Sequence, residues 1–330
     1  MRKTNSLKKV KSKYILMEIF NNLGEKKLLE IIKYNKLFQE KLEININHYK
    51  EFLNIEIEIF PKNKYNPGPF ININNKENES YYHIYFNNDF ENEIKRYHLD
   101  KNDIKVERIK IIIDREISSL DSLFFECECV EKINFIKFNR KNINNMSSMF
   151  YKCTSLKELN IKNIKTDYVT DMSFLFSFCT SLEELNVSNF KTNNVTNMVG
   201  MFYGCSSLKK LDVSNFNTNK VTNMESMFSQ CSLLKKLDLS NFNTQNVVNM
   251  SAMFYDCKSL KKLNINNFYT NNVTNMYSIF SNCSSLIKLI ASNFNTSNVI
   301  NNKDMFYKCK NSFKNKIENL MINSKKDKFS

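Results

Sequence analysis

Residues 195–220 read VTNMVGMFYGCSSLKKLDVSNFNTNK, and residues 221–246 follow them closely as VTNMESMFSQCSLLKKLDLSNFNTQN. The same 26-residue step recurs upstream and downstream, and it carries a phenylalanine column and eight of the nine cysteines, all except Cys129. Self-similarity at a fixed period of this length is typical of solenoids, in which each repeat is one coil stacked on its neighbours. The laddered cysteines are Cys127, Cys153, Cys179, Cys205, Cys231, Cys257, Cys283 and Cys309.

The first half of each repeat carries a helix-like pattern. In one repeat, Met198, Met201, Phe202 and Cys205 stand at i, i+3, i+4 and i+7. That spacing places the four side chains on one face of an α-helix. We therefore expect a short helix in every coil, with its apolar face turned into the core.

The second half of each repeat carries the pattern L-x-x-L-x-L, as in Leu208, Leu211 and Val213, which is typical of a leucine-rich-repeat strand. Taken together, the two halves predict an α/β solenoid, a leucine-rich-repeat array of about seven coils over residues 116–310. Because side chains alternate along a strand, the residues between the leucines should face outward. These residues form the predicted partner-binding strand face: Glu158, Glu184, Lys210, Asp212, Ser214, Lys236, Asp238, Ser240, Lys262, Asn264 and Lys288.

One outward column starts with Glu158 and Glu184 and continues with four lysines, from Lys210 to Lys288. Lysines stacked about 4.8 Å apart repel one another, so this column would suit a protein partner with an acidic patch. The alternative is a solvated polar face whose charges are screened by physiological salt. Solenoids commonly bind through such a surface, so the binding interpretation stays open beside the solvated face.

The recurring string VTNMxxMFxxCxSLKxLxxSNFxT resembles the 26-residue repeat of BspA-like leucine-rich-repeat surface proteins over about residues 120–310. This resemblance implies a leucine-rich-repeat solenoid that works in adhesion or in binding host proteins at a cell surface.

The cysteine ladder allows three interpretations. A metal site is disfavoured because Cys127 and Cys129 form a single pair and the three histidines, His48, His83 and His98, lie outside the array. Disulfides between coils are disfavoured because equivalent side chains on stacked coils point in parallel. Buried reduced thiols agree best with the burial preference of cysteine. A recurring asparagine should bond the backbone of adjacent coils, at Asn163, Asn189, Asn215, Asn241, Asn267 and Asn293.

The flanking regions predict three further units. Residues 1–50 read as a helical hairpin, and the stretch YILMEIFNNLGEKKLLEIIKYNKLFQ loosely resembles an F-box, although a plain helical cap is the simpler interpretation. Residues 51–115 alternate strand-like runs (IEIEIF, FININ, YYHIYF, ERIKIIID) with polar turns and predict a small β-rich connector and N-terminal cap, in which ERIKIIID leads into the first coil. Residues 311–330 predict a capping helix and tail.

The composition and the absence of known motifs argue against several classes of function. The chain has three histidines and four glycines, and it contains none of the G-x-x-x-x-G-K-[ST], G-x-S-x-G or H-E-x-x-H motifs. We therefore expect no enzyme, cofactor, metal site or small-molecule substrate. The net charge of +14 would be compatible with a nucleic-acid partner, but the sequence contains no known nucleic-acid-binding motif, so we do not expect one.

Two settings remain open. The apolar run at 14–20 is too short for a signal peptide or a transmembrane helix, so we expect a cytoplasmic protein, whereas the resemblance implies the cell surface. The primary hypothesis is a non-enzymatic protein-protein interaction scaffold with a possible adhesive role. The alternative is an intracellular ubiquitin-ligase substrate adaptor whose F-box-like head leaves the repeats to hold substrate.

Overall fold

The computed structural model describes residues 35–42, 54–62, 67–73, 76–115, 117–140, 142–291 and 293–310. These residues form one α-helix, α1 (Lys36–Leu42), and one 3-10 helix (Lys76–Tyr81). The strands before the repeats are β1 (Ile55–Pro61), β2 (Gly68–Pro69), β3 (Tyr82–Phe86), β4 (His98–Leu99) and β5 (Ile109–Ile113). The strands of the repeats are β6 (Val130–Phe138), β7 (Glu158–Asn160), β8 (Glu184–Leu185), β9 (Lys210–Leu211), β10 (Lys236–Asp238), β11 (Lys262–Asn264) and β12 (Lys288–Ile290).

Strands β6 to β12 follow one another at the repeat period, so we number the coils 1 to 7 by these strands. The paired strands run parallel and in register, with Leu237 opposite Leu263 and Leu263 opposite Leu289. The inward leucines are buried and the residues between them are exposed, as the L-x-x-L-x-L pattern predicts. The expectation of a repeat solenoid with one strand per coil is confirmed.

The predicted helix in each coil is wrong. Residues 199–204 form turns, and the backbone φ angle is positive at Gly200 and Gly204, four residues apart. The amide of Gly200 donates to Glu225 of the next coil at 2.8 Å, whereas the amide of Tyr203 donates back to Gly200 at 2.9 Å. Every second N–H group thus donates to a carbonyl of the next coil. In an α-helix, each N–H group would instead donate to the carbonyl four residues earlier in the same segment.

The reason for this error is geometric. A segment with two turns four residues apart buries positions i, i+3, i+4 and i+7, the same four positions that a helix of 3.6 residues per turn buries. Met198, Met201, Phe202 and Cys205 are all fully buried, so the inward set was predicted correctly although the backbone was not. The solenoid is therefore built from strands and turns, and the α/β part of the predicted fold class does not hold.

The N-terminal strands join the solenoid through β6. One sheet has the order β3-β5-β1-β6-β7, and in it β6 pairs antiparallel with β1 and parallel with β7. The strand beside coil 1 is therefore β1, and Ile109–Ile113 (β5) lies one strand further out, not next to the first coil as expected. The run FININ was also predicted as a strand, and its described part forms none. Phe70 and Ile71 are buried there but take part in no strand pairing.

A single apolar core extends from Ile55 to Cys309. Along its centre the phenylalanine rings of successive coils stack, for example Phe202 on Phe228 with centroids 5.6 Å apart and an interplanar angle of 6°. Each ring therefore completes the core of its neighbour, as in other solenoids, where one repeat cannot bury its apolar residues alone.

Two predicted units fall largely outside the described residues. Of the helical hairpin over residues 1–50, only 35–42 are described, and they contain α1. The capping helix and tail over residues 311–330 lie outside the described part entirely. Within the described part, no helix is long and apolar enough to cross a membrane.

Candidate interaction surface on the strand side

The strand side is held in place by two polar ladders at its border. The Asn215 amide donates to the carbonyl of Phe190 in the preceding coil at 2.7 Å, and Asn241 donates to Phe216 at 2.6 Å. The buried Thr218 hydroxyl donates to the carbonyl of Asn243 at 2.8 Å and accepts the amide of the same residue. The structural role predicted for the asparagine column is confirmed, because these bonds satisfy backbone groups that leave the strand.

The cysteine ladder lies behind the turns, away from this surface. All nine cysteines fall within the described residues and are buried, reduced thiols, which confirms the preferred interpretation. The Cys205 thiol donates to the carbonyl of Phe176 in the preceding coil at 3.1 Å. Burial raises the pKa of Cys205 to about 12, because a thiolate would lose its hydration there. Such thiols are poor nucleophiles and poor metal ligands at neutral pH.

The first four coils balance their outward charges by pairing between neighbours. Lys132 of coil 1 lies 2.5 Å from Glu158 of coil 2, and Lys209 of coil 4 lies 2.6 Å from Glu183 of coil 3. Glu184 and Lys210 also face each other, but at 4.0 Å and with both side chains largely exposed. The acidic start of the predicted column is thus neutralised within the chain.

The last three coils have no such balance. Five exposed lysines lie on three adjacent strands or directly before them, and among the described residues none of the five has a carboxylate within 4.0 Å. The strand register places Lys236, Lys262 and Lys288 directly opposite one another. We call this set the lysine strip, and it consists of Lys235, Lys236, Lys261, Lys262 and Lys288.

A groove of about 1640 Å³ lies over coils 1 to 5 and meets the strip only at Lys235 and Lys236. Its floor is apolar and includes Leu159, Leu185 and Leu211. The predicted strand-face residues that line it are Glu158, Glu184, Lys210, Asp212, Lys236 and Asp238. The remaining five lie outside the groove: Ser214, Ser240, Lys262, Asn264 and Lys288.

The aspartates at the edge of the surface have a local structural role. The Oδ1 atom of Asp212 accepts the backbone amide of Ser214 at 2.9 Å, and Asp238 accepts that of Ser240 in the same way. Bonds from Ser214 lower the pKa of Asp212. These carboxylates turn the chain out of the strand, so they are less available to a partner than the lysines.

Sequence reasoning missed the column one residue earlier, which contains Glu183, Lys209, Lys235 and Lys261. Strict alternation along a strand would turn these residues inward, yet all four are exposed. The strands are only two or three residues long, and residue 209 precedes its strand, which begins at Lys210. The sequence did contain a sign of this exposure, because three successive repeats have two consecutive lysines at this place. An unpaired lysine is almost never fully buried, so neither of the two could point inward.

Among the described residues there is no group of three or more histidine, cysteine, aspartate or glutamate side chains that could hold a metal ion. The surface therefore offers charge, hydrogen-bonding groups and an apolar floor. Such a surface can recognise a macromolecule by complementarity.

The repeats match the model of a known protein family. The model of the family described as "Mycoplasma protein of unknown function, DUF285" matches residues 118–232 and 209–320, which together span more than half of the chain. The chain belongs to this family. The matched region begins just before coil 1 and includes all seven coils, so family membership rests on the solenoid.

Two other comparisons add little. A solved structure, the leucine-rich-repeat protein TpLRR of T. pallidum, is 18% identical, with a TM-score of 0.35, covering 58% of this chain and 88% of that one. No curated protein matches this chain.

Proposed function

We propose that this protein is a non-enzymatic protein-interaction scaffold that binds a partner through the strand side of its solenoid. The partner carries an acidic surface and docks over the lysine strip. The observation that carries this proposal is the contrast along one face, where the charges of coils 1 to 4 are paired within the chain and the lysines of coils 5 to 7 are not.

The energetics favour an acidic partner. Like charges directly opposite on adjacent strands destabilise a sheet, and Lys236, Lys262 and Lys288 are in that position. A carboxylate placed between two of them relieves that repulsion and gains attraction to both. Because the lysines are exposed, their contribution appears mainly in the association rate and in its dependence on salt.

The test is a double charge reversal with a matched control. Lys236→Glu with Lys262→Glu reverses the centre of the strip, whereas Lys303→Glu with Lys310→Glu makes the same change in net charge at exposed positions near the last coil. Partners are captured on full-length protein from extracts of cells that produce it, with chemical cross-linking to map the contact.

We expect the strip variant to lose acidic partners that the wild type and the control retain, with cross-links at the strand side. Capture that is equal for both variants, or cross-links that avoid coils 5 to 7, would contradict the proposal.

Two settings are compatible with this scaffold. The resemblance to BspA-like proteins supports an adhesive role, and the F-box-like stretch supports the adaptor alternative. Labelling of intact cells with an impermeant reagent separates them: labelled protein favours adhesion. Recovery of ubiquitin-ligase subunits that is lost on deleting residues 1–45 favours the adaptor.

A further inference from the structure

Coil 7 has an isoleucine at two positions where coil 6 has a polar residue. Ile287 stands where the preceding coil has Lys261, and its amide donates to the carbonyl of Lys261 at 3.0 Å. Ile290 stands opposite Asn264 in the strand register. The two isoleucines are 55% and 37% exposed. The last lysine of the strip, Lys288, is therefore flanked by two exposed isoleucines, Ile287 and Ile290, which we call the isoleucine end.

We propose that the strip and the isoleucine end form one composite site for an acidic segment that carries apolar side chains at one end only. This inference rests on the proposed function and specifies its partner. The acidic part of the segment lies over Lys235, Lys236, Lys261 and Lys262, and its apolar end lies on Ile287 and Ile290. The site thereby fixes the direction in which the segment binds.

Charged and aliphatic contacts differ in what they select. Exposed lysines attract many polyanions, and salt weakens that attraction. An aliphatic contact is insensitive to moderate salt and requires close fit, so it adds affinity only when the apolar group reaches the right place. Because the isoleucines lie at one end of the strip, a segment bound in the reverse direction would place its apolar end over lysines.

The position of the patch also argues against a purely structural role. Leu289 of the same strand packs against the core, so the inward contact of this strand is already made. Ile287 and Ile290 lie on either side of Lys288 and Leu289 and remain exposed. At the equivalent places, coil 6 has Lys261 and Asn264, which shows that the fold does not require an aliphatic residue there.

The experiment uses three fluorescent peptides with the full-length protein. One peptide is a short glutamate run, one adds a leucine pair at its amino end, and one adds the pair at its carboxyl end. Affinity is measured by anisotropy at low and physiological salt. We expect one leucine peptide to bind about tenfold more tightly than the glutamate run, equivalent to about 1.4 kcal/mol, and the other to bind no better.

The variant Ile287→Lys with Ile290→Asn gives coil 7 the residues of coil 6. It should abolish the gain from leucine while glutamate-only binding is kept or slightly strengthened. Ile300→Thr is the matched control, because it removes a largely exposed isoleucine outside the strand and restores the residue type of Thr274 one repeat earlier. The control should behave as wild type.

The outcomes separate this inference from the proposed function. If no peptide binds in a salt-dependent way, the acidic partner itself is wrong. If the glutamate run binds but leucine adds nothing, adds equally at both ends, or keeps its gain in the double variant, the composite site is wrong and the scaffold stands. A fall of several degrees in the melting temperature of the double variant would show that the chain itself covers these isoleucines, and would also overturn the inference.

Discussion

The two sides of the solenoid are built differently. On the turn side, four backbone amides of each inner coil donate to the next, as in Met198, Gly200, Phe202 and Gly204, at 2.8 to 3.2 Å. A continuous run of paired residues connects Ser119 to Asn301 on this side. On the strand side, pairing is interrupted, and the ladder is divided into β6-β7, β8-β9 and β10-β11-β12.

Charge accounts for part of this interruption. The first break separates Glu158 from Glu184, and the second separates Lys210 from Lys236. The intervening pairs, Lys132 with Glu158 and Glu184 with Lys210, have opposite charges and are kept. Two like-charge pairs, Lys236 with Lys262 and Lys262 with Lys288, remain paired, so charge is not the only determinant. The turn side thus keeps the hydrogen bonds between coils continuous, whereas the strand side varies its outward residues.

The largest effect that can test this contrast is alkaline unfolding of the turn side. Burial raises the pKa of Cys205 and Cys257 to about 12 from the ordinary 9.0, and the other laddered thiols from Cys127 to Cys283 are raised by burial too. Below pH 9.0 both states keep these protons. Above it only the unfolded chain releases them, so the free energy of unfolding falls as pH rises toward 12, by about 1.4 kcal/mol per thiol per pH unit.

Seven such thiols would cancel a typical stability of about 5–15 kcal/mol within roughly two pH units. Circular dichroism and thiolate absorbance, followed together against pH, should therefore change at one midpoint. The substitution Cys205→Ala leaves a cavity that lowers stability at neutral pH, but it also removes one thiol that titrates. Its loss of stability relative to the wild type should therefore shrink as the pH rises above 9.0. Thiolates that appear while the fold is still intact would show that the ladder is open to water.

The second test concerns a close fit between coils 3 and 4. Gly204 has a φ of +72°, and a Cβ added there would lie 2.6 Å from the Phe178 ring. Gly204→Ala should cost about 1 kcal/mol for the backbone and further energy for the clash. Phe178→Asn, which supplies the residue found at Asn282, should remove the clash and leave only the backbone cost. A double-mutant cycle by urea unfolding measures the difference, and additive effects would refute the fit.

The inward residues of the repeat could be predicted from sequence because burial follows a period that several backbones share. Met198 and Phe202 are buried whether the chain forms a helix or a series of turns. The backbone itself could not be predicted, because its distinguishing feature is a pair of residues with positive φ, four positions apart, in each coil. Those positions hold Phe174, Ala252 and Lys308 as well as glycine, so residue type gives little warning.

The candidate surface could be predicted in part. The lysines at 210, 236, 262 and 288 were identified because the repeat places them between inward leucines. Their neighbours, Lys235 and Lys261, required knowledge that each strand ends after two or three residues. The neutralisation of Glu183 and Glu184 by coil 4 depends on distances between coils, which a repeat pattern does not contain.

The smallest expected effect is a change in stability that has opposite signs in the paired and the unpaired part of the strand side. Lys236→Gln removes a charge that stands opposite Lys262, so we expect a gain in stability of up to about 0.5 kcal/mol at low salt and none at high salt. Lys209→Gln removes the partner of Glu183 and should instead lose about 0.2–1 kcal/mol. Urea unfolding of both variants at two salt concentrations measures this difference. Two losses of equal size would show that the lysine strip is already compensated, and the case for an acidic partner would fail with it.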